Sequence, residues 1–225
     1  MAILENLGNI ITAVGGLGTA AFGLVDASKA FGGGVNNIGF SGIREWIGKF
    51  VPKETVNGLK LTDAVATLRE NWFTGTDLAS QKAIAKSLIK LNFNVNNAEQ
   101  MANAAGVDVG ALTAIAQSLA TGTALTTAQT DIYARFDTIL TAQVDATYRR
   151  ADEKYVSATR AWAMVASVAL AVAGAFVMRA PDLASPAELG QALLIGLLGT
   201  PLAPIAKDLS SALASAVNTL QLVKK

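Results

Sequence analysis

Charged residues in this chain fall in blocks, and the gaps between the blocks are long. Residues 6–25, 161–178 and 189–206 contain no Asp, Glu, Lys or Arg. As helices, these runs of 20, 18 and 18 residues extend roughly 27–30 Å, the thickness of a bilayer's hydrocarbon core. The second, "AWAMVASVALAVAGAFVM", is apolar on every side and bracketed by Arg160 and Arg179. Charge confined to the ends of an all-round apolar helix is the pattern of a transmembrane span. The third run carries Pro201 and Pro204, each of which deletes a helical hydrogen bond. They predict a helix break or kink, either a bend at the membrane exit or a broken helix lining an ion path.

Between the first and second runs the pattern is amphipathic and helical. "FGGGVNNIGFSG" reads as a flexible exit, and "IREWIGKFVPKE", with Trp46 and Phe50, as a short helix lying on the membrane surface. Leu61, Val65, Leu68 and Trp72 recur at helical spacing, as do Ala83, Ile84, Leu88 and Leu91 behind a capping Asp77. Asn97 with Gln100 predicts a capping box. Asp108 opens a further helix that Gly122 closes. Residues 123–173 contain neither Gly nor Pro, and Ile132, Phe136, Ile139, Leu140 and Val144 share one side, so a long helix joins bundle to membrane. No segment shows strand alternation.

The predicted fold is therefore all-α: an integral membrane protein with three transmembrane helices and an inserted cytoplasmic helical bundle. Its parts are a first span over 1–33, a Gly-rich exit and interfacial helix over 34–54, and the bundle over 55–122. An amphipathic stalk over 123–160, a transmembrane hairpin over 161–206 and a C-terminal amphipathic helix over 207–225 complete it.

"IYARFDTILTAQVDATYRRADEKYVSATRAWAMVASVALAVAG", followed by "LLIGLLGTPLAPIAKDL", resembles an uncharacterised group of bacterial inner-membrane proteins. In that group an amphipathic helix with an FD pair and a basic cluster runs into C-terminal spans, with an isolated span near the N-terminus. Phe136, Asp137 and the Tyr148, Arg149, Arg150 cluster fall at comparable places over about residues 131–210. The resemblance implies inner-membrane residence and brings no activity.

Basic residues set the orientation. Lys29 and Arg44 follow the first span, Arg149, Arg150, Lys154 and Arg160 precede the second, and Lys207, Lys224 and Lys225 follow the third. All agree on an external N-terminus, a short outer turn near 180–188 and a cytoplasmic C-terminus. Lys29, Arg149, Arg150, Lys154 and Arg160 are the inner-face anchors.

Composition sharpens the picture. Hydrophobic residues make up 52% and charged residues 16%, well under the roughly 25% of soluble domains. The net charge of +1 supplies no basic face for nucleic acid. There is no His and no Cys, which excludes imidazole acid–base catalysis, thiolate nucleophiles and the usual zinc sites. No catalytic, cofactor or metal site is expected.

Two glycine motifs invite a nucleotide reading and fail it. Gly16-x-Gly18-x-x-Ala21 lacks the second strand and acidic residue that a dinucleotide fold needs about 20 residues on. "GIREWIGKF" has five residues before Gly48-Lys49 and Phe50 where a magnesium-binding hydroxyl belongs. Asp131, Asp137 and Asp145 read as a solvated helix face with intrahelical pairs such as Asp145 to Arg149. The first span instead carries a seam of small residues, Ala13, Gly16, Ala20, Gly23, Ala27 and Ala30, spaced for close helix packing. Its expected partner is an identical or neighbouring subunit, the alternative being the second span of the same chain with Ala166, Ala169, Ala173 and Val177.

The expected function is a non-catalytic oligomeric membrane scaffold or an accessory subunit of a bacterial membrane complex. Its partners are the lipid bilayer and other subunits, not nucleic acid. Two alternatives use the same parts: a passive ion channel of oligomerised spans, and a pore-former that inserts the 161–206 hairpin.

Overall fold

A computed structural model describes residues 2–54, 58–179 and 185–223, with side-chain surroundings for 10–54, 58–178 and 185–204. The described residues are all-α, with no strand. The helices are α1 (Ala2–Ser28), α2 (Asn36–Ile47), α3 (Leu61–Phe73) and α4 (Leu78–Leu91), then α5 (Ala98–Ala105), α6 (Val109–Thr121), α7 (Thr127–Arg179) and α8 (Pro186–Val223). They form two compact units, one of Met1–Val35 with Val156–Lys225 and one of Asn36–Tyr155.

The Asn36–Tyr155 unit is built around the first half of α7. Phe136, Leu140, Val144, Tyr148 and Ala151 recur every three or four residues, so they share one face, and all are buried. The core they join includes Ile43, Ile47 and Phe50, Leu68, Ile89, Met101, Leu112 and Ile115, drawn from every other helix of the unit and from the turn after α2. Each large apolar side chain so buried contributes roughly 1.5–3 kcal/mol, which the short helices could not gain singly. The sequence-predicted stalk is thus no free-standing helix over 123–160. Up to Tyr155 it is the centrepiece of the bundle.

The interfacial helix is corrected in the same way. Trp46 and Phe50 do not lie on a surface: they are 7% and 0% exposed, their rings 5.2 Å apart inside the core. The Trp46 indole N–H donates to Gln143 Oε1 at 3.3 Å. The bundle accordingly begins at residue 36, not 55.

Caps explain where the helices stop. Asp77 accepts from the Ser80 N–H at 2.9 Å and Asp108 from the Ala111 N–H at 2.6 Å, as their positions predicted. Gly106 and Gly122 end α5 and α6 in the left-handed conformation. The Asn97–Gln100 capping box is absent, because both side chains are engaged elsewhere. Asn97 Oδ1 accepts from the Asn94 N–H at 2.9 Å, and Gln100 Nε2 donates to the Lys49 carbonyl at 3.1 Å.

A row of lysines on α4 meets the carboxylates of α7. Lys82 pairs with Asp145 at 2.8 Å, while Lys86 and Lys90 converge on Asp137 at 2.6 and 3.0 Å. Asp145 therefore pairs across helices, not with Arg149. Burial tends to raise the Asp137 pKa, but the hydrogen bonds from Lys86 and Lys90 outweigh it and hold the carboxyl below its usual range.

In the other unit, α1, the part of α7 from Val156 onward and α8 lie together. Among the described residues, two helices are long and apolar enough to cross a membrane: Ile10–Ser28 and Thr127–Met178. The third predicted run, 189–206, extends past the residues whose side-chain surroundings are described, and α8 is not one of the two. α8 runs unbroken through Pro201 and Pro204, so no helix break occurs there. What the prolines remove is two donors, those that would reach the Leu197 and Thr200 carbonyls. The separate helix expected over 207–225 is the continuation of α8 as far as Val223. Residues 180–184 of the predicted outer turn at 180–188, and the side chains of Lys207, Lys224 and Lys225, lie outside the described residues.

Candidate functional site

The functional surface expected from the sequence is one of helix packing, and α1 and α8 pack closely. α1 buries Val14, Gly18, Ala21 and Val25, at spacings of four, three and four. α8 answers with Ala192, Gly196, Gly199 and Ala203 at the same spacings, all buried. These intervals keep the four residues on one stripe of each helix, all four small on α8 and the middle two on α1.

The approach is close enough to exclude a methyl group. A Cβ placed on Gly18 would stand 2.0 Å from the Gly199 carbonyl oxygen and 3.0 Å from the Ala203 Cβ. Gly196 is equally confined, since its Cβ would meet the Val168 backbone of α7 at 2.5 Å. Gly199 lies between both neighbours: its Cβ would fall 3.3 Å from the Val14 carbonyl oxygen of α1 and would overlap the Ser167 hydroxyl of α7. α8 is the strip against which α1 and α7 both rest.

The predicted seam is a different face. Ala13, Gly16, Ala20, Gly23, Ala27 and Ala30 are all exposed, and a Cβ at Gly16 or Gly23 would meet nothing within 4 Å. The intrachain contact lies on nearly the opposite side of α1 and uses Gly18, a position outside the predicted seam. The signal that finds it is on α8, where Ala192, Gly196, Gly199 and Ala203 fall on one stripe and Leu193, Leu194, Leu197 and Leu198 on the others. α1 offers so many small residues that its own sequence supports several stripes.

The predicted anchors separate into two kinds. Lys29 pairs with Asp26 at 2.5 Å, one turn back along the chain. Arg149, Arg150, Lys154 and Arg160 are exposed. Ser167 and Thr200 are buried with hydroxyls that find no hydrogen-bond partner among the described residues. Nor does any group of three His, Cys, Asp or Glu side chains converge there as a metal site would require. In the other unit, Tyr148 is the deepest titratable group: burial pushes its phenol well above the ordinary value, and its O–H reaches the Gln81 carbonyl at 3.4 Å. That is a core hydrogen bond, not an activated group.

Compared with models of protein families, with curated proteins and with solved structures, the chain finds no match.

Proposed function

We propose that this chain is a non-catalytic membrane scaffold or accessory subunit of a bacterial inner-membrane complex. In this reading α1, α7 from residue 161 and α8 are three spans, and Asn36–Tyr155 is the cytoplasmic working domain. The observation that carries it is the surface of the α1–α7–α8 unit. Val165, Val177, Leu194 and Leu198 are each more than half exposed, and the most apolar window along Thr127–Met178 is only 11% buried. An apolar surface of that kind is unfavourable in water and at home in lipid. Exposed leucines along 193–198 support α8 as the third span.

The open seam from Ala13 to Ala30 supports self-association. In lipid, helices are held by close van der Waals contact, and this stripe has no side chain larger than a methyl group. Lack of His and Cys, and of any group of three acidic side chains placed to hold a metal among the described residues, favours a structural role over catalysis. Washing membranes with alkaline carbonate tests the reading. The chain should stay in the pellet and run as an oligomer in mild detergent. Recovery in the supernatant would overturn it in favour of a chain that inserts on demand.

A further inference from the structure

The bundle carries a cleft whose basic groups enter none of its ion pairs. Two helices wall it. On α2 and the turn that follows, Glu45, Trp46 and Lys49 face it, and on α7 Thr147, Arg150 and Lys154 do. The α7 positions are spaced three and four residues apart, which sets them on one face. The cleft has a volume of about 170 Å³. Three cations against one carboxylate leave it a charge of about +2 at neutral pH.

None of this charge is used by the fold. Among the described residues, Lys49, Arg150 and Lys154 enter no ion pair, and the Thr147 hydroxyl makes no hydrogen bond. Arg150 and Lys154 lie one turn apart, where like charges repel unless an anion lies between them. The lysines of α4, by contrast, are each matched to an aspartate. A second groove that shares Glu45 and Lys49 adds Arg44, Lys53 and Arg69 against Glu54, so the positive face extends beyond the cleft.

We propose that this cleft binds a phosphomonoester. A phosphate monoester carries about −1.5 to −2 charge at neutral pH and three strong acceptor oxygens, which matches a site of about +2. The Arg150 guanidinium grips two oxygens as a fork, Lys49 and Lys154 act as point charges, and Thr147 donates its hydroxyl. A phosphodiester, with one charge and two free oxygens, leaves part of the set unmatched. The phosphate belongs either to a lipid headgroup or to a soluble ester. Lys154 precedes the uncharged run at residue 161 by seven residues, so chain length alone holds it within about 25 Å of that run. The lipid source rests on the membrane reading, while the phosphate site does not.

Calorimetry on the full chain in uncharged detergent tests this with three probes: short-chain phosphatidate, short-chain phosphatidylglycerol and inorganic phosphate. Phosphatidate is expected to bind at least tenfold more tightly than phosphatidylglycerol, and inorganic phosphate to compete with it. Arg150→Gln with Lys154→Gln should weaken phosphatidate at least tenfold, whereas Arg149→Gln, on the same helix but outside the cleft, should not. Arg150→Lys should recover part of the loss. Binding of inorganic phosphate that phosphatidate does not better assigns the site to soluble esters, and it can be read even from a chain that leaves the membrane. Equal loss on Arg149→Gln, equal affinity for the two lipids, or no binding of any probe overturns the proposal.

Discussion

Replacing Gly18 by Ala perturbs the chain at its tightest helix contact. The new Cβ would stand 2.0 Å from the Gly199 carbonyl oxygen, where ordinary contact begins at 3.4 Å. α1 and α8 must therefore separate by about 1.4 Å, the difference of those two distances, or twist apart. The atom struck is backbone, which cannot swing aside as a flexible side chain could. Overpacking of this kind costs about 1–3 kcal/mol. Ala also favours a helix over Gly by about 1 kcal/mol, which masks part of the cost. Gly16→Ala supplies the control, because its Cβ meets nothing within 4 Å and it gains the same propensity term. The quantity to measure is the difference between the two variants, expected at about 1–3 kcal/mol against Gly18→Ala. Titration of the detergent-solubilised protein with SDS, followed through tryptophan fluorescence and far-UV circular dichroism, reads it as a lowered midpoint. Equal midpoints, or a lower one for Gly16→Ala, would refute the α1–α8 contact.

Four other outcomes follow. Gly16→Leu with Gly23→Leu should lower the copy number seen by native mass spectrometry without shifting the unfolding midpoint, because the seam they fill is open within the chain. Phe136→Ala should cost the bundle about 3–5 kcal/mol in denaturant unfolding, since it empties a fully buried site among seven core elements. The Asp137 carboxyl is held below its usual range in the folded state, so its contribution is complete above the unfolded carboxylate value. It is lost as pH falls through the folded value, and Asp137→Asn should abolish that part of the acid sensitivity, about 1 kcal/mol after screening at these half-exposed pairs. Asp77→Ala should fray α4 at its start and lower the thermal unfolding midpoint of the bundle.

The helices that proved legible in the sequence were those whose ends carry their own chemistry. Asp77, Asp108 and Gly122 each bound a helix through local hydrogen bonds or backbone freedom, and each stands where expected. The Asn97–Gln100 box failed because a side chain that can cap can equally reach a distant carbonyl, as Gln100 does at Lys49. Trp46 and Phe50 were misread for a related reason. An aromatic residue near basic ones suits a membrane surface and a protein core equally, and only the apolar face of α7 decides between them. The same face, Phe136 to Tyr148, was visible as a stripe, but a stripe does not say what covers it. The packing site was hidden by abundance: α1 has too many small residues for any single stripe to stand out. Pro201 and Pro204 lie within an unbroken α8, which loses two hydrogen bonds without ending there.

Spin-label accessibility reads the central claim, that the α1–α7–α8 unit faces lipid while the bundle faces water. The chain has no native cysteine, so single labels at Val165, Leu194 and Leu91 are unambiguous. All three side chains are exposed, at 58%, 59% and 77%. In reconstituted bilayers, the account predicts that oxygen, which concentrates in hydrocarbon, relaxes the labels at 165 and 194, and that a water-soluble nickel chelate reaches only the label at 91. A nickel chelate that reaches 165 and 194 as freely as 91 would contradict it.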